Sequence, residues 1–63
     1  MVYYYVYVRE FNQVLEMRYL CTDKAGAHAF NSGSMIYPLA PSEVEGRVFE
    51  GTQEAQEHYP ELF

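Results

Sequence analysis

Residues 2–11 constrain the fold of this chain more than any other stretch, because they alternate as a β-strand does. Val2, Tyr4, Val6 and Val8 form one face, and Tyr3, Tyr5, Tyr7 and Arg9 form the other. Tyrosine and valine favour a pleated, half-buried surface, and a period of two residues suits a strand and not a helix. A second alternation runs over residues 14–21, with Leu15, Met17, Tyr19 and Cys21 on one side and Val14, Glu16, Arg18 and Leu20 on the other. Asn12-Gln13 between the two runs predicts a hairpin turn. Setting Phe11 opposite Val14 puts Arg9 opposite Glu16, Val8 opposite Met17, Tyr7 opposite Arg18, Val6 opposite Tyr19 and Tyr4 opposite Cys21. That register predicts one apolar face, and on the other an Arg9–Glu16 ion pair and a Tyr7–Arg18 cation–π contact, each pair contributing about 0.2–1 kcal/mol.

Downstream, Thr22 or Asp23 is a good helix N-cap, Gly33 sits where a C-cap often does, and Ala25, Ala29 and Phe30 share a helical face. A short helix packed on the hairpin is expected there, although Gly26 weakens it by roughly 1 kcal/mol. Residues 34–37 read as a third strand, and Pro38, lacking an amide donor, ends it or holds it at an edge. Ser42 with Glu45 suits a one-turn capping box, while Val44 to Phe49 suits a fourth strand; the strand is preferred. Gly51-Thr52 opens a last helix with Gln53 to Tyr59 as its body, and Pro60 ends or kinks it. Leu62 and Phe63 are expected to tuck back onto the core. The expected fold is therefore a single α+β domain over residues 1–63. It holds a small antiparallel sheet of three to four strands, one short helix packed on it and a short C-terminal helix.

Length limits what such a domain can do alone. At 63 residues, a core rarely supplies more than about 3–5 kcal/mol without disulfides, a metal or a partner chain. Cys21 is the one cysteine, so no internal disulfide forms; seven tyrosines and four phenylalanines compensate with large buried rings. A homodimer or a stable partner complex stays open on this argument. The lone cysteine fits a reducing compartment. Met1 to Val8 has no basic n-region or cleavage site, and no apolar run approaches the roughly 18–20 residues of a membrane helix. The expectation is a cytoplasmic protein read from a complete short frame.

Charge divides the chain. Over residues 1–42, Glu10, Glu16 and Asp23 cancel Arg9, Arg18 and Lys24. Over residues 43–63, Glu43, Glu45, Glu50, Glu54, Glu57 and Glu61 face Arg47 alone, so the whole net charge of −5 lies in the last third. An acidic domain repels phosphate and attracts basic surfaces, which argues against direct nucleic-acid binding and for a basic partner.

Catalytic chemistry has little to work with. Cys21 and His28 are the one nucleophile–base pair to consider, and Cys21 lies on the apolar face of its expected strand, where a buried thiol is inert. Glu54 and His58 stand four apart on the last helix, but two ligands are too few for a metal site. Gly26, Gly33, Gly46 and Gly51 form no phosphate loop. Glu43 and Glu45 read as a solvated strand face. No catalytic residue, metal or cofactor is expected, and the chain is read as not an enzyme.

Two features ask for more than a structural account. The Tyr3, Tyr5, Tyr7 face is too apolar for plain exposure; it is covered by the last third of the chain, by a second copy, or by a partner. The glutamates of the last third either keep the protein soluble or imitate phosphate in a basic groove. Glu54, Glu57 and Glu61 share one helical face if the helix survives Pro60. This very short acidic frame, with its aromatic hairpin, short helices and concentrated Glu, resembles small phage-encoded inhibitors of host machinery, including anti-CRISPR proteins and acidic DNA mimics. The resemblance implies a non-catalytic inhibitor that blocks nucleic-acid binding by a basic nucleic-acid-handling protein or complex. Glu43, Glu45, Glu50, Glu54, Glu57 and Glu61 would meet its Lys and Arg, with Tyr5 and Tyr7 as anchors. The alternative is an antitoxin-like structural or regulatory module that associates through the tyrosine face.

Overall fold

The computed structural model describes residues 2–63. It is an α+β fold in which five antiparallel strands form one sheet: β1 (Tyr3–Val8), β2 (Gln13–Thr22), β3 (His28–Ser32), β4 (Met35–Leu39) and β5 (Val48–Phe49). The order across the sheet is β4-β3-β2-β1-β5, so the chain runs as a four-strand meander and then returns to pair with β1. Two helices follow β4: α1 (Pro41–Val44) and, after β5, α2 (Thr52–His58); a single 3-10 turn over Pro60–Leu62 ends the chain.

The N-terminal hairpin forms in a register four residues away from the expected one. Val8 faces Gln13, Val6 faces Leu15, Tyr4 faces Met17 and Tyr3 faces Arg18. The turn takes residues 9–12, closed by hydrogen bonds from Phe11 N to Val8 O and from Asn12 N to Arg9 O, both 3.2 Å. A two-residue turn at Asn12-Gln13 needs a left-handed backbone that Gln resists, whereas the longer loop places only Asn12 at positive φ (51°). A slip by an even number preserves which side chains share a face. The core face therefore survives, but the expected cross-strand partners of Arg9 and Tyr7 do not: Tyr7 faces Val14, and Glu16 faces Tyr5.

The short helix expected after Thr22 is absent; a tight turn and β3 occupy that segment. Asp23 does cap, but it caps the turn: its Oδ1 accepts from Ala25 N and Ala27 N, both at 2.9 Å. Gly26 supplies the positive φ (88°) that breaks any helix there. Gly33, at φ 60°, then takes the first place of the two-residue turn between Ser32 and Met35, as a type II′ hairpin requires. The third strand of the sequence reading is thus β4, and it lies at the sheet edge, where Pro38 costs no ladder bond. Both readings of residues 42–49 hold in part. A helical turn forms at Pro41–Val44, capped by the Glu43 carboxylate on Ala40 N (3.1 Å) and not by Ser42 with Glu45, and a two-residue strand follows.

The sheet is curled. In a flat sheet β4 and β5 would lie about 19 Å apart, four strand spacings. Yet the Tyr37 hydroxyl on β4 accepts from Arg47 Nη2 just before β5. Inside the curl Val6, Val8, Met17, Phe30 and Leu39 are buried, with Tyr4, Leu15, Tyr19, Tyr37, Val44 and Val48 packed around them. Arg47 joins the edges: Nε and Nη2 donate to the Tyr7 carbonyl (3.2 and 2.9 Å), Nη1 meets Glu43 Oε2 (3.2 Å), and the guanidinium lies 5.8 and 5.7 Å from the Tyr7 and Tyr37 ring centres.

The opposite face carries a second, smaller cluster. Phe49 pairs with Tyr5 and is buried, as is Ala55 of α2. Beyond α2, Tyr59 stacks on Tyr7 at 4.2 Å and 11°, and its hydroxyl donates to Gly46 O. The last third thus folds over Tyr5 and Tyr7. Tyr3 stays half exposed, and Phe63 is exposed rather than tucked against the core.

Candidate functional site

A concavity of about 670 Å³ opens at one end of the curled core. Tyr4, Tyr19 and Phe30 form its aromatic wall, Val44 and Val48 its aliphatic side, and Glu50 and Glu54 its acidic rim, with His28 beside the rings. The three rings stand on edge to one another: Tyr4–Tyr19 at 6.3 Å and 88°, Tyr4–Phe30 at 6.1 Å and 89°, Tyr19–Phe30 at 5.5 Å and 63°. Edge-on packing is favoured by the ring quadrupoles and turns the negative faces in different directions around a shared space.

Each part of the wall follows from local structure. The even-position alternation of β1 aims Tyr4 inward, and the pairing Tyr19 with Phe30 aims both of those inward from β2 and β3. A β-bulge at Leu20 then shifts the register, so that Cys21 faces Ala29 and Thr22 faces His28. An extra residue reverses the in–out alternation beyond it. Thr22 is thereby brought to the core side, where its hydroxyl meets Tyr19 Oη at 2.6 Å and His28 Nδ1 at 3.2 Å. The same bulge corrects the expectation for Cys21: the thiol is exposed, not buried opposite Tyr4. Cys21 and His28 point to opposite faces and are not assembled as nucleophile and base.

The glutamates of the last third have separate fates. Glu43 is used inside the fold, holding Arg47 and capping α1. Glu45, Glu50, Glu54, Glu57 and Glu61 are exposed. Glu50 and Glu54 meet at the rim, and Glu57 lies one turn along α2. The helix ends at His58, and Pro60 starts a new turn, so Glu61 leaves that face and borders a shallow hollow with Asn12, Gln13 and Val14. Tyr5 and Tyr7 are half-buried against Phe49 and Tyr59. The anchoring surface expected of them is taken up by the chain itself.

Outside the concavity, Tyr37 donates to Glu10 Oε1 at 2.9 Å. Burial, and after it this bond, raise the Tyr37 phenol above its ordinary value; backbone hydrogen bonding and then the Tyr37 bond lower the Glu10 carboxyl. Among the described residues no group of three or more His, Cys, Asp or Glu could hold a metal ion; Glu54 and His58 gather no further ligand. No helix among them is long and apolar enough to cross a membrane. Comparison of the chain with protein-family models, with curated proteins and with solved structures finds no match.

Proposed function

We propose that this chain is a non-catalytic inhibitor that docks its acidic last third onto the basic surface of a nucleic-acid-handling protein and keeps phosphate out. One observation carries the reading. The fold pairs Arg47 with Glu43 and leaves Glu45, Glu50, Glu54, Glu57 and Glu61 exposed, which together equal the net charge of −5. Carboxylates presented in this way compete for the Arg and Lys that bind phosphate. In this reading Tyr4 and Tyr19, at the wall of the concavity, replace Tyr5 and Tyr7 as aromatic anchors.

The test is a pull-down from nuclease-treated lysate at low and high salt, beside a variant carrying Glu45→Lys, Glu54→Lys and Glu57→Lys. These sites are exposed, so the fold should survive while capture of a nucleic-acid-binding protein is lost. Capture by the parent should weaken with salt, because screening shortens electrostatic reach. Equal capture by parent and variant would refute the reading. A second reading, self-association, is favoured by Tyr3 and Ile36, 50% and 55% exposed in one row of the outer face. Recovery of only a second copy of the chain would put it first.

A further inference from the structure

The concavity has a chemistry of its own, beyond that of a negative surface. We infer that it is a receptor for a single arginine side chain of the partner polypeptide, its guanidinium held between the Tyr4 and Tyr19 rings and the Glu50 and Glu54 carboxylates. The inference rests on the reading of the acidic third as a surface for a basic partner, and it names the group that enters.

Three observations converge. The first is shape: the concavity is lined by rings from β1, β2 and β3 that stand edge-on to one another, so that their planes lie in different directions around it. A ring face is its negative side and attracts a cation lying within about 6 Å of the centre. The second is charge: two carboxylates, Glu50 just before α2 and Glu54 in its first turn, stand at the mouth. An uncharged apolar side chain would gain nothing from them, and an acidic one would be repelled. The third is a precedent within the same fold. Arg47 lies on the other side of Val48, bound to Glu43 and Tyr7 and stacked near Tyr7 and Tyr37. That internal site shows the same combination of rings and a carboxylate holding a guanidinium within this fold. Arginine suits the concavity better than lysine, because its planar group stacks on a ring while its fork of N–H groups reaches two carboxylates.

The experiment titrates the full chain with an acetylated, amidated Gly-Gly-Arg-Gly-Gly peptide at low salt, followed by two-dimensional NMR. Two controls replace arginine by citrulline, which has the same shape without the charge, or by lysine. The expected result is saturable shifts at the ring protons of Tyr4 and Tyr19 and at the amides of Glu50 and Glu54. Citrulline should bind about tenfold more weakly, the equivalent of about 1.4 kcal/mol for the lost cation–π contact, and lysine, which keeps the charge but not the planar fork, in between. Glu50→Gln with Glu54→Gln should weaken the arginine peptide and leave citrulline unchanged; both sites are exposed, so the fold is kept. Equal binding of arginine and citrulline overturns the proposal, as does an arginine peptide that shifts only Glu45, Glu57 or Glu61. That last outcome would leave the acidic-surface reading standing. Loss of partner capture in the Glu45, Glu54 and Glu57 variant together with a normal peptide titration at Tyr4 and Tyr19 would leave both standing, and no peptide binding at all overturns the arginine site.

Discussion

Arg47→Ala should be the most damaging single change among the charged residues. The guanidinium side chain is 14% exposed and joins three parts of the molecule: the Tyr7 carbonyl on β1, the Tyr37 hydroxyl on β4 and the Glu43 carboxylate on α1. A hydrogen bond from a charged donor to a part-buried acceptor contributes about 1.5–3 kcal/mol. The Tyr7 and Tyr37 rings add roughly 0.5–1 kcal/mol each. The Glu43 pair adds at most about 0.5 kcal/mol, because that carboxylate is 42% exposed and screened. These contributions share one group and do not add fully, so the expected loss is about 3 kcal/mol. A core of this size supplies about 3–5 kcal/mol, so the variant should stand near its unfolding midpoint in water. Arg47→Lys keeps the charge but loses the fork, and should lose about half as much. Urea unfolding followed by far-ultraviolet circular dichroism reads both, with an unchanged slope showing that stability and not compactness has moved. If Arg47→Ala unfolds within about 1 kcal/mol of the parent, closure of the curl does not depend on Arg47 and the reasoning fails.

Alkaline pH should destabilise the fold through two phenols. Burial raises Tyr37 and Tyr59, with the Glu10 bond adding to the first and neighbouring Tyr7 to the second. Each holds its proton to higher pH in the fold than in the unfolded chain. Their stabilising effect is therefore complete below the ordinary phenol value of about 10 and is lost as pH rises through the raised values. Stability that stays flat through that range would contradict the assignment. The bulge at Leu20 makes a separate prediction: Cys21 in the native protein should react with a thiol reagent about as fast as in urea, since its side chain already meets solvent. Protection until unfolding would mean that Cys21 is turned inward.

Much of the sheet was legible because alternation is a local signal. The inward set Val6, Val8 and Met17 was readable without knowing the register, since an even slip leaves faces unchanged. The register itself was not readable. It depends on whether Asn12 begins a two-residue turn or ends a longer one, a choice decided by backbone conformation at a single residue. Residues 22–33 misled for a related reason. Asp23 and Gly33 are good helix caps, but Asp equally nucleates a tight turn and Gly equally opens a hairpin, and Gly26 between them favours the turn. Local caps cannot decide between the two when the intervening residues, three alanines among the nine from Lys24 to Ser32, carry no strong period.

The concavity was invisible for a different reason: no two of its wall residues are close in sequence by a pattern that names a site. Tyr4, Tyr19 and Phe30 each read as ordinary core, and Glu50 and Glu54 read as two members of a dispersed acidic contact surface, with nothing in their spacing to join them to those rings. They meet because a 63-residue chain has too little material to close both faces of a five-stranded sheet. Here α2 and Tyr59 are spent on the outer face over Tyr7 and Phe49, and α1, four residues long, covers the β4 side of the inner one. The remaining end of the core is left open between Tyr4 and Val48, and the chain passes it with Glu50 and Glu54. A core opened in this way exposes aromatic surface that water solvates poorly, and acidic residues at its margin keep it from nonspecific association with other apolar surfaces. In the proposed arginine site they would also favour groups that gain from both rings and carboxylates. The same shortage of chain that limits stability therefore leaves this end of the core open.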